Sequence, residues 1–279
     1  FHKMRRIIEK KVKHIYDGFE IPYISLPTTM GLPEVIDIFV DRYKTQNIDY
    51  VDPSVTILSG PVEDEIATND QVVFNWVGNN EAMTFRYFFD GSLIQEWDDI
   101  TSAKIEYLDE GEHRFGVQGK YPTDDVSDTV YVNFNVNAVL GPSLLFYPRK
   151  HVAFFGETVT FQILAEEVIG LSGAEFKVDY DPSMFQIESV TQGALFQSGT
   201  QSIFHVDHNT TQGSFSVLTA ILDATTPSVD GTGVLAEVVV KLLNQGTNNL
   251  SFGSTNKLRD PDNIEIAIRE KIGGIVIAQ

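Results

Sequence analysis

Residues 170–182 read GLSGAEFKVDYDP. Ala174, Phe176, Val178 and Tyr180 fall on one side of an extended chain and Glu175, Lys177 and Asp179 on the other, the period of two that marks a half-buried β-strand. Pro182 has no N–H to give to a sheet ladder and biases Asp181 toward extended or turn backbone. The strand is therefore expected to stop on Tyr180-Asp181-Pro182, where the chain folds over.

The stretches around this strand repeat its logic. Val, Ile, Thr, Phe and Tyr recur in short alternating runs separated by Gly, Asp, Asn and Ser, so an all-β protein is expected. After it come MFQIESV (184–190), SIFHVD (202–207), SFSVLTAIL (214–222), VLAEVVVKLL (234–243), NLSF (249–252), IEIAI (264–268) and GIVIA (274–278). Before it come ETVTFQILA (157–165) and an opening strand at Leu144 to Tyr147. Nine or ten strands over 141–279 predict a jelly-roll sandwich. Upstream, QVVFNWV (71–77), TFRYFFD (84–90), SLIQEW (92–97), KIEYL (104–108), EHRFGVQG (112–119) and TVYVNFNV (129–136) predict a second sandwich over 53–140, with turns at Asp90-Gly91 and Glu110-Gly111. Trp76 alternates with Phe74 and Val72 and is expected in its core.

Residues 1–52 differ. Met4, Ile7, Ile8, Val12, Ile15 and Tyr16 recur at helical spacing, with Arg5, Arg6, Lys10 and Lys13 opposite and Gly18 placed to end the helix. A second helix fits 33–44, with Ile36, Phe39, Val40 and Tyr43 as its apolar face. Two short helices cannot bury those faces alone, so this basic arm is expected to pack on something else.

Charge separates the arm from the rest. The chain of 279 residues has 20 Lys+Arg and 39 Asp+Glu, a net of −19. Residues 1–16 contribute 6 − 1 = +5 and residues 51–279 contribute 12 − 32 = −20. An acidic body repels phosphate backbones, which argues against nucleic acid as a partner and favours divalent cations and basic surfaces. There is no cysteine, which excludes disulfides, thiolate metal sites and a Cys nucleophile. No apolar run reaches the roughly 18 residues of a membrane span. The basic start lacks the apolar stretch of a signal peptide, and a chain beginning with Phe1 is expected to be processed or cut from something longer.

Five segments, GETVTFQI (156–163), GLSGAEFKVDYDP (170–182), MFQIESVTQG (184–193), GTGVLAEVVVKL (231–242) and GGIVIA (273–278), stand in the order found in cohesin domains, and residues 141–279 resemble that family as a whole. The pattern FNWVGNN, an FDG turn and EGEHRFGVQG resembles the Ig-like modules of bacterial and archaeal surface proteins. The first resemblance implies a noncatalytic, nine-stranded jelly roll that presents one sheet face to the calcium-loaded helices of a dockerin module. It also implies a partner-binding set of Gly173, Glu175, Lys177, Leu222, Asp223 and Thr225. Family members that bind dockerins often carry a polar amide near position 173 and an acid near 175, and here only Glu175 fits.

Other constellations compete with that reading. His205, Asp207 and His208 are of ligand type, but on a strand positions 205 and 208 face opposite ways, so a shared ion needs a turn there. Asp207, Asn209, Thr211 and Gly213 look like the start of a calcium loop, yet the glycine stands one place too late and no Glu closes the loop, so the chain carries no dockerin of its own. Asp260-Pro261-Asp262-Asn263 is expected to be a turn, with a structural calcium as the alternative. The acid pairs Glu166-Glu167, Asp98-Asp99 and Asp124-Asp125 are expected on solvated surface, because neighbours on a strand point apart and cannot flank one glycosidic bond. Trp97 is the more exposed tryptophan and a candidate for sugar stacking.

The sequence thus predicts a nonenzymatic extracellular or cell-surface protein whose cohesin-like domain mediates assembly with a protein partner. The alternative is a filament or surface-layer subunit that polymerises with further copies through Ile7, Ile8, Val12, Ile15 and Tyr16. Carbohydrate binding ranks third. No cofactor is called beyond a possible structural calcium.

Overall fold

A computed structural model describes residues 51–197, 201–225 and 227–279. The expected helices at 4–16 and 33–44 lie outside the described residues. By packing the described residues divide into two compact units, the first drawn from 51–65, 72–104 and 112–134, the second from 66–71, 105–111 and the described residues from 135 on. All the described strands belong to β-sheets, and among the described residues no helix is long and apolar enough to cross a membrane.

The first set of strands runs β1 (Val55–Ser59), β2 (Glu65–Ala67), β3 (Gln71–Gly78), β4 (Thr84–Phe89), β5 (Ser92–Asp98), β6 (Ser102–Glu106), β7 (Gly111–Lys120) and β8 (Val130–Val136). They form a three-stranded sheet, β1-β3-β6, and a five-stranded sheet, β2-β8-β7-β4-β5. Alternation in β3 turns Val72, Phe74 and Trp76 inward, where they meet inward rings of the other sheet. Phe74 stacks on Phe115 at 3.9 Å with the planes 4° apart, and Trp76 lies 5.9 Å from Phe115 and 6.3 Å from Phe85. Trp76 is buried as expected. The six strands expected here are present, and β1 and β2 are additions.

The second unit is a larger two-sheet sandwich. Its strands are β9 (Ser143–Tyr147), β10 (Lys150–Ala153), β11 (Thr158–Leu171), β12 (Gly173–Asp179), β13 (Phe185–Gln192), β14 (Ser202–Asn209), β15 (Ser214–Ile221), β16 (Val229–Leu242), β17 (Gly246–Arg259), β18 (Glu265–Ile266), β19 (Glu270–Ile272) and β20 (Gly274–Ala278). One sheet has the order β10-β20-β17-β12-β15-β14, with β18 attached to β17, and the other has the order β13-β16-β11-β9-β19. Where nine or ten strands were expected, the described residues form twelve. The additions are β10 and β19, short pieces paired in parallel with β20 and β9, and the expected strand at 264–268 shrinks to the two residues of β18.

β12 lies inside its sheet, between β15 and β17. Ala174, Phe176 and Val178 point into the core, followed by Tyr180 just beyond the strand, and they meet Phe161, Val217, Val238 and Leu258 in one apolar cluster. The strand ends at Asp179 as the proline requires. Beyond it the Asp181 carbonyl accepts the N–H groups of Met184 and Phe185, at 3.0 and 2.9 Å. The Asp181 carboxylate accepts the Ser183 N–H at 2.8 Å and its hydroxyl at 2.6 Å. Those bonds, the hydroxyl foremost, hold the Asp181 carboxyl below the usual carboxylate range.

The corner is locked by a glycine from a different hairpin. Gly213, with φ +66°, ends the β14–β15 turn, and its carbonyl accepts the Tyr180 N–H at 2.7 Å. A Cβ there would stand 2.2 Å from the Tyr180 carbonyl oxygen and 2.5 Å from Pro182 Cδ. Only glycine allows that approach.

Candidate functional site

Since β12 turns its even-numbered residues inward, Gly173, Glu175, Lys177 and Asp179 face outward. The antiparallel register then fixes the neighbours. Gly173 stands opposite Ala220 and Arg259, Glu175 opposite Leu218 and Lys257, and Lys177 opposite Ser216. β14 continues the face with Ile203 beside Ala220, His205 beside Leu218 and Asp207 beside Ser216.

The result is a sheet surface with an apolar centre and a charged border. Leu218 is 44% exposed, Leu222 55% and Ile203 39%. Around them stand Glu175, Lys177, His205, Asp207, Lys257 and Arg259. Lys177 pairs with Asp179 at 2.9 Å, and Asp179 lies against Gly253, where a Cβ would meet its Oδ2 at 2.7 Å. At the Gly173 end the surface sinks into a shallow depression of about 360 Å³.

The expected partner-binding residues fall into two neighbouring groups. Gly173, Glu175 and Lys177 form one outward row. Leu222, Asp223 and Thr225 follow β15 at the end where Ala220 pairs with Gly173, and the Asp223 carboxylate accepts both the N–H (2.8 Å) and the hydroxyl (2.6 Å) of Thr225. Sequence reasoning did not pick out Ile203, Leu218 and Ala220. Their signal was present, since Val217 and Phe215 set the phase of their strand and leave Ser216, Leu218 and Ala220 outward. Lys257 and Arg259 were hidden more deeply. β17 carries a bulge opposite Phe176–Val178, bridged by Asn256, which donates to the Gly253 carbonyl at 2.6 Å and accepts the Lys177 N–H at 3.3 Å. That irregularity breaks the alternation beyond NLSF.

The other sequence candidates resolve individually. β14 is extended from Ser202 to Asn209, so no turn brings His205 and His208 together. Among the described residues no group of three His, Asp or Glu side chains gathers at metal-binding distance. Asp260 to Asn263 form the expected turn, in which the Asp260 carboxylate accepts the Ile264 N–H at 2.8 Å. Asp98-Asp99 and Asp124-Asp125 are exposed.

Glu166 corrects an expectation. It is buried at 9% exposure, because β11 breaks its register between Ala165 and Val168 and Glu167 takes φ +47°. Its carboxylate accepts the Thr232 hydroxyl at 2.8 Å, and burial pushes its pKa up. Burial also raises Glu110, whose carboxylate accepts the N–H groups of Ala138 and Val139. Trp97 is half-buried, with the Arg86 guanidinium 4.5 Å and the Lys120 ammonium 5.0 Å from its ring centre.

Residues 150–267 match the cohesin domain family. This cohesin match spans under half of the chain and contains β12, the Tyr-Asp-Pro corner and most of the sheet face just described. Among solved structures, a non-cellulosomal cohesin from the archaeon Archaeoglobus fulgidus is 17% identical, covering 49% of this chain and 90% of its own, with a TM-score of 0.41. A type II cohesin domain from the cellulosome of Acetivibrio cellulolyticus is 20% identical over 48% of this chain and 92% of its own, with a TM-score of 0.43. A cohesin from Clostridium thermocellum, solved in a type I cohesin–dockerin complex, is 17% identical over 49% of this chain and 98% of that one, with a TM-score of 0.44. No curated protein matches the chain.

Proposed function

We propose that the cohesin-matching unit is a noncatalytic assembly module, and that the outward face of β14, β15, β12 and β17 is its partner-binding surface. The observation that carries this reading is the composition of that face. An apolar centre of Ile203, Leu218 and Leu222 inside a border of charged side chains is the anatomy of a protein interface, in which the centre supplies hold and the rim supplies orientation. Gly173, Glu175 and Lys177 form the middle of the contact, and Leu222, Asp223 and Thr225 form its edge. By family analogy the partner is a dockerin-type module that brings its own calcium, and the protein acts outside the cell or at its surface. The Ig-like module serves as a spacer.

The test is a pull-down of calcium-loaded dockerin modules by the full chain, with chelator as the control. Retention that chelation abolishes supports the reading. Failure of every module tested, with the chain monomeric by light scattering, removes it.

A second reading is favoured by the charge contrast between the +5 of residues 1–16 and the −20 of residues 51–279. Here Ile7, Ile8, Val12, Ile15 and Tyr16 of one copy pack on the next, and head-to-tail contacts of that kind build open polymers. Fibres seen by electron microscopy that vanish when residues 1–30 are deleted would support it, and fibres that persist would refute it.

A further inference from the structure

The depression on the sheet face owes its existence to two small residues. Gly173 and Ala220 stand opposite each other across β12 and β15 and make a floor with no side chain larger than a methyl group, while Leu218 and Pro261 form apolar walls. On the β17 side the rim is basic, formed by Lys257 and Arg259. Leu258 between them is fully buried, so both side chains project outward. Arg259 lies directly opposite Gly173.

The formal charges of the lining balance, Glu175 and Asp260 against Lys257 and Arg259, so the placement of each group decides what the hollow can take. Glu175 stands across from Lys257 in the register of the two strands. The Asp260 carboxylate accepts the Ile264 N–H, which ties it to its own turn and leaves its charge in place. Arg259 forms no ion pair among the described residues, although Glu265 pairs with it across the backbone of β18. Instead its Nη1 donates to the Asn263 carbonyl at 2.8 Å. The 260–263 turn thereby fixes the guanidinium at the rim and leaves its other N–H groups uncommitted. A planar, positioned guanidinium beside an apolar hollow suits a carboxylate on a short aliphatic stem.

We infer that this depression is a socket for a glutamate-like side chain of a protein partner, its methylenes on Gly173, Ala220 and Leu218 and its carboxylate on Arg259. The assignment rests on the reading of this face as an interface and names what the face selects. An acidic side chain approaches a strongly acidic protein, so the socket must act at short range, within the roughly 8 Å over which charges are felt at physiological salt. Arg259 is then the residue that discriminates among partners.

The experiment follows backbone amide shifts of the full chain by NMR, at constant ionic strength, during titration with N-acetyl-glutamate N-methylamide and, separately, with its glutamine counterpart. The glutamate compound is expected to move the amides of Gly173, Leu218 and Ala220, and the glutamine compound to bind at least about tenfold more weakly, the difference made by a hydrogen bond to a charged group. Arg259→Gln should make the two compounds equivalent. Gly173→Leu should abolish both responses, since a Cβ at Gly173 meets Ala220 Cβ only at 3.6 Å and the strand can accept it. The spectrum of each variant reports its own folding. Absence of shifts with the glutamate compound, equal response to the two compounds, or a preference that survives Arg259→Gln would overturn the socket. A protein partner that binds wild type and Arg259→Gln alike would also overturn it while leaving the interface standing. Specific uptake of the glutamate compound by a chain that no protein partner engages would leave the socket standing and remove the interface.

Discussion

Replacing Gly213 by alanine tests the corner that ends the central strand. Three costs combine. Alanine at φ +66° occupies left-handed backbone, which costs about 1–2 kcal/mol. The new Cβ would stand 2.2 Å from the Tyr180 carbonyl oxygen, so the hairpin or the corner must move by most of an ångström, a strain of about 1–3 kcal/mol. Such a movement stretches the 2.7 Å bond from the Tyr180 N–H to the Gly213 carbonyl, worth about 1 kcal/mol. The sum is about 3–6 kcal/mol. Gly231→Ala is the control, because Gly231 also has positive φ, +93°, but has nothing within 4 Å of an added Cβ, so only the backbone cost of about 1–2 kcal/mol applies. Urea unfolding of both variants, followed by circular dichroism, should place Gly213→Ala at least about 2 kcal/mol below Gly231→Ala. Equal losses would refute the claim that the Tyr-Asp-Pro corner is held by close packing against Gly213.

Two carboxylates bear on pH with opposite sign. Burial raises Glu166, so the folded protein holds its proton more firmly than the unfolded chain does; its ionisation costs stability as pH rises from the ordinary value of 4.5 through the raised one. Glu166→Gln keeps an acceptor for Thr232 and should flatten that part of the stability–pH curve, whereas an unchanged curve in urea titrations would contradict it. Asp181 is lowered, so its contribution is present above the ordinary value of 3.8 and is lost as pH falls through the lowered one. Asp181→Ala should remove that acid-side loss, read by the same titrations. In the first unit, Phe74→Ala empties a fully buried site stacked on Phe115 and should cost about 3–5 kcal/mol by chemical denaturation. A loss under about 1 kcal/mol would show that the ring stack does not hold that sandwich.

The fold was legible in proportion to how regular each strand is. The alternation of GAEFKVDY and the proline after it gave the bounds of β12 to within a residue, and QVVFNWV revealed its core face because each inward residue is large and apolar. β17 failed at its bulge, where Gly253, Ser254 and Thr255 carry no period, and with it Lys257 and Arg259 were missed. Glu166 was misplaced because a pair of acids reads as surface unless the break in β11 is known. The outward side of the proposed interface is harder in principle. Once a strand's core phase is set, any polar or small residue satisfies its solvent side, so the emptiness at Gly173 and Ala220 appears only when register brings the two strands together.

The central claim is that the face built on Gly173, Glu175 and Leu218 holds a protein partner. Isothermal titration calorimetry of the full chain with a calcium-loaded dockerin module, alongside Leu218→Arg, tests it most directly. A charge placed at the apolar centre should cost at least about 2 kcal/mol, roughly a 30-fold loss of affinity, with the thermal midpoint unchanged. Affinity that survives Leu218→Arg, or a wild-type chain that gives no heat at micromolar concentrations, would contradict the account.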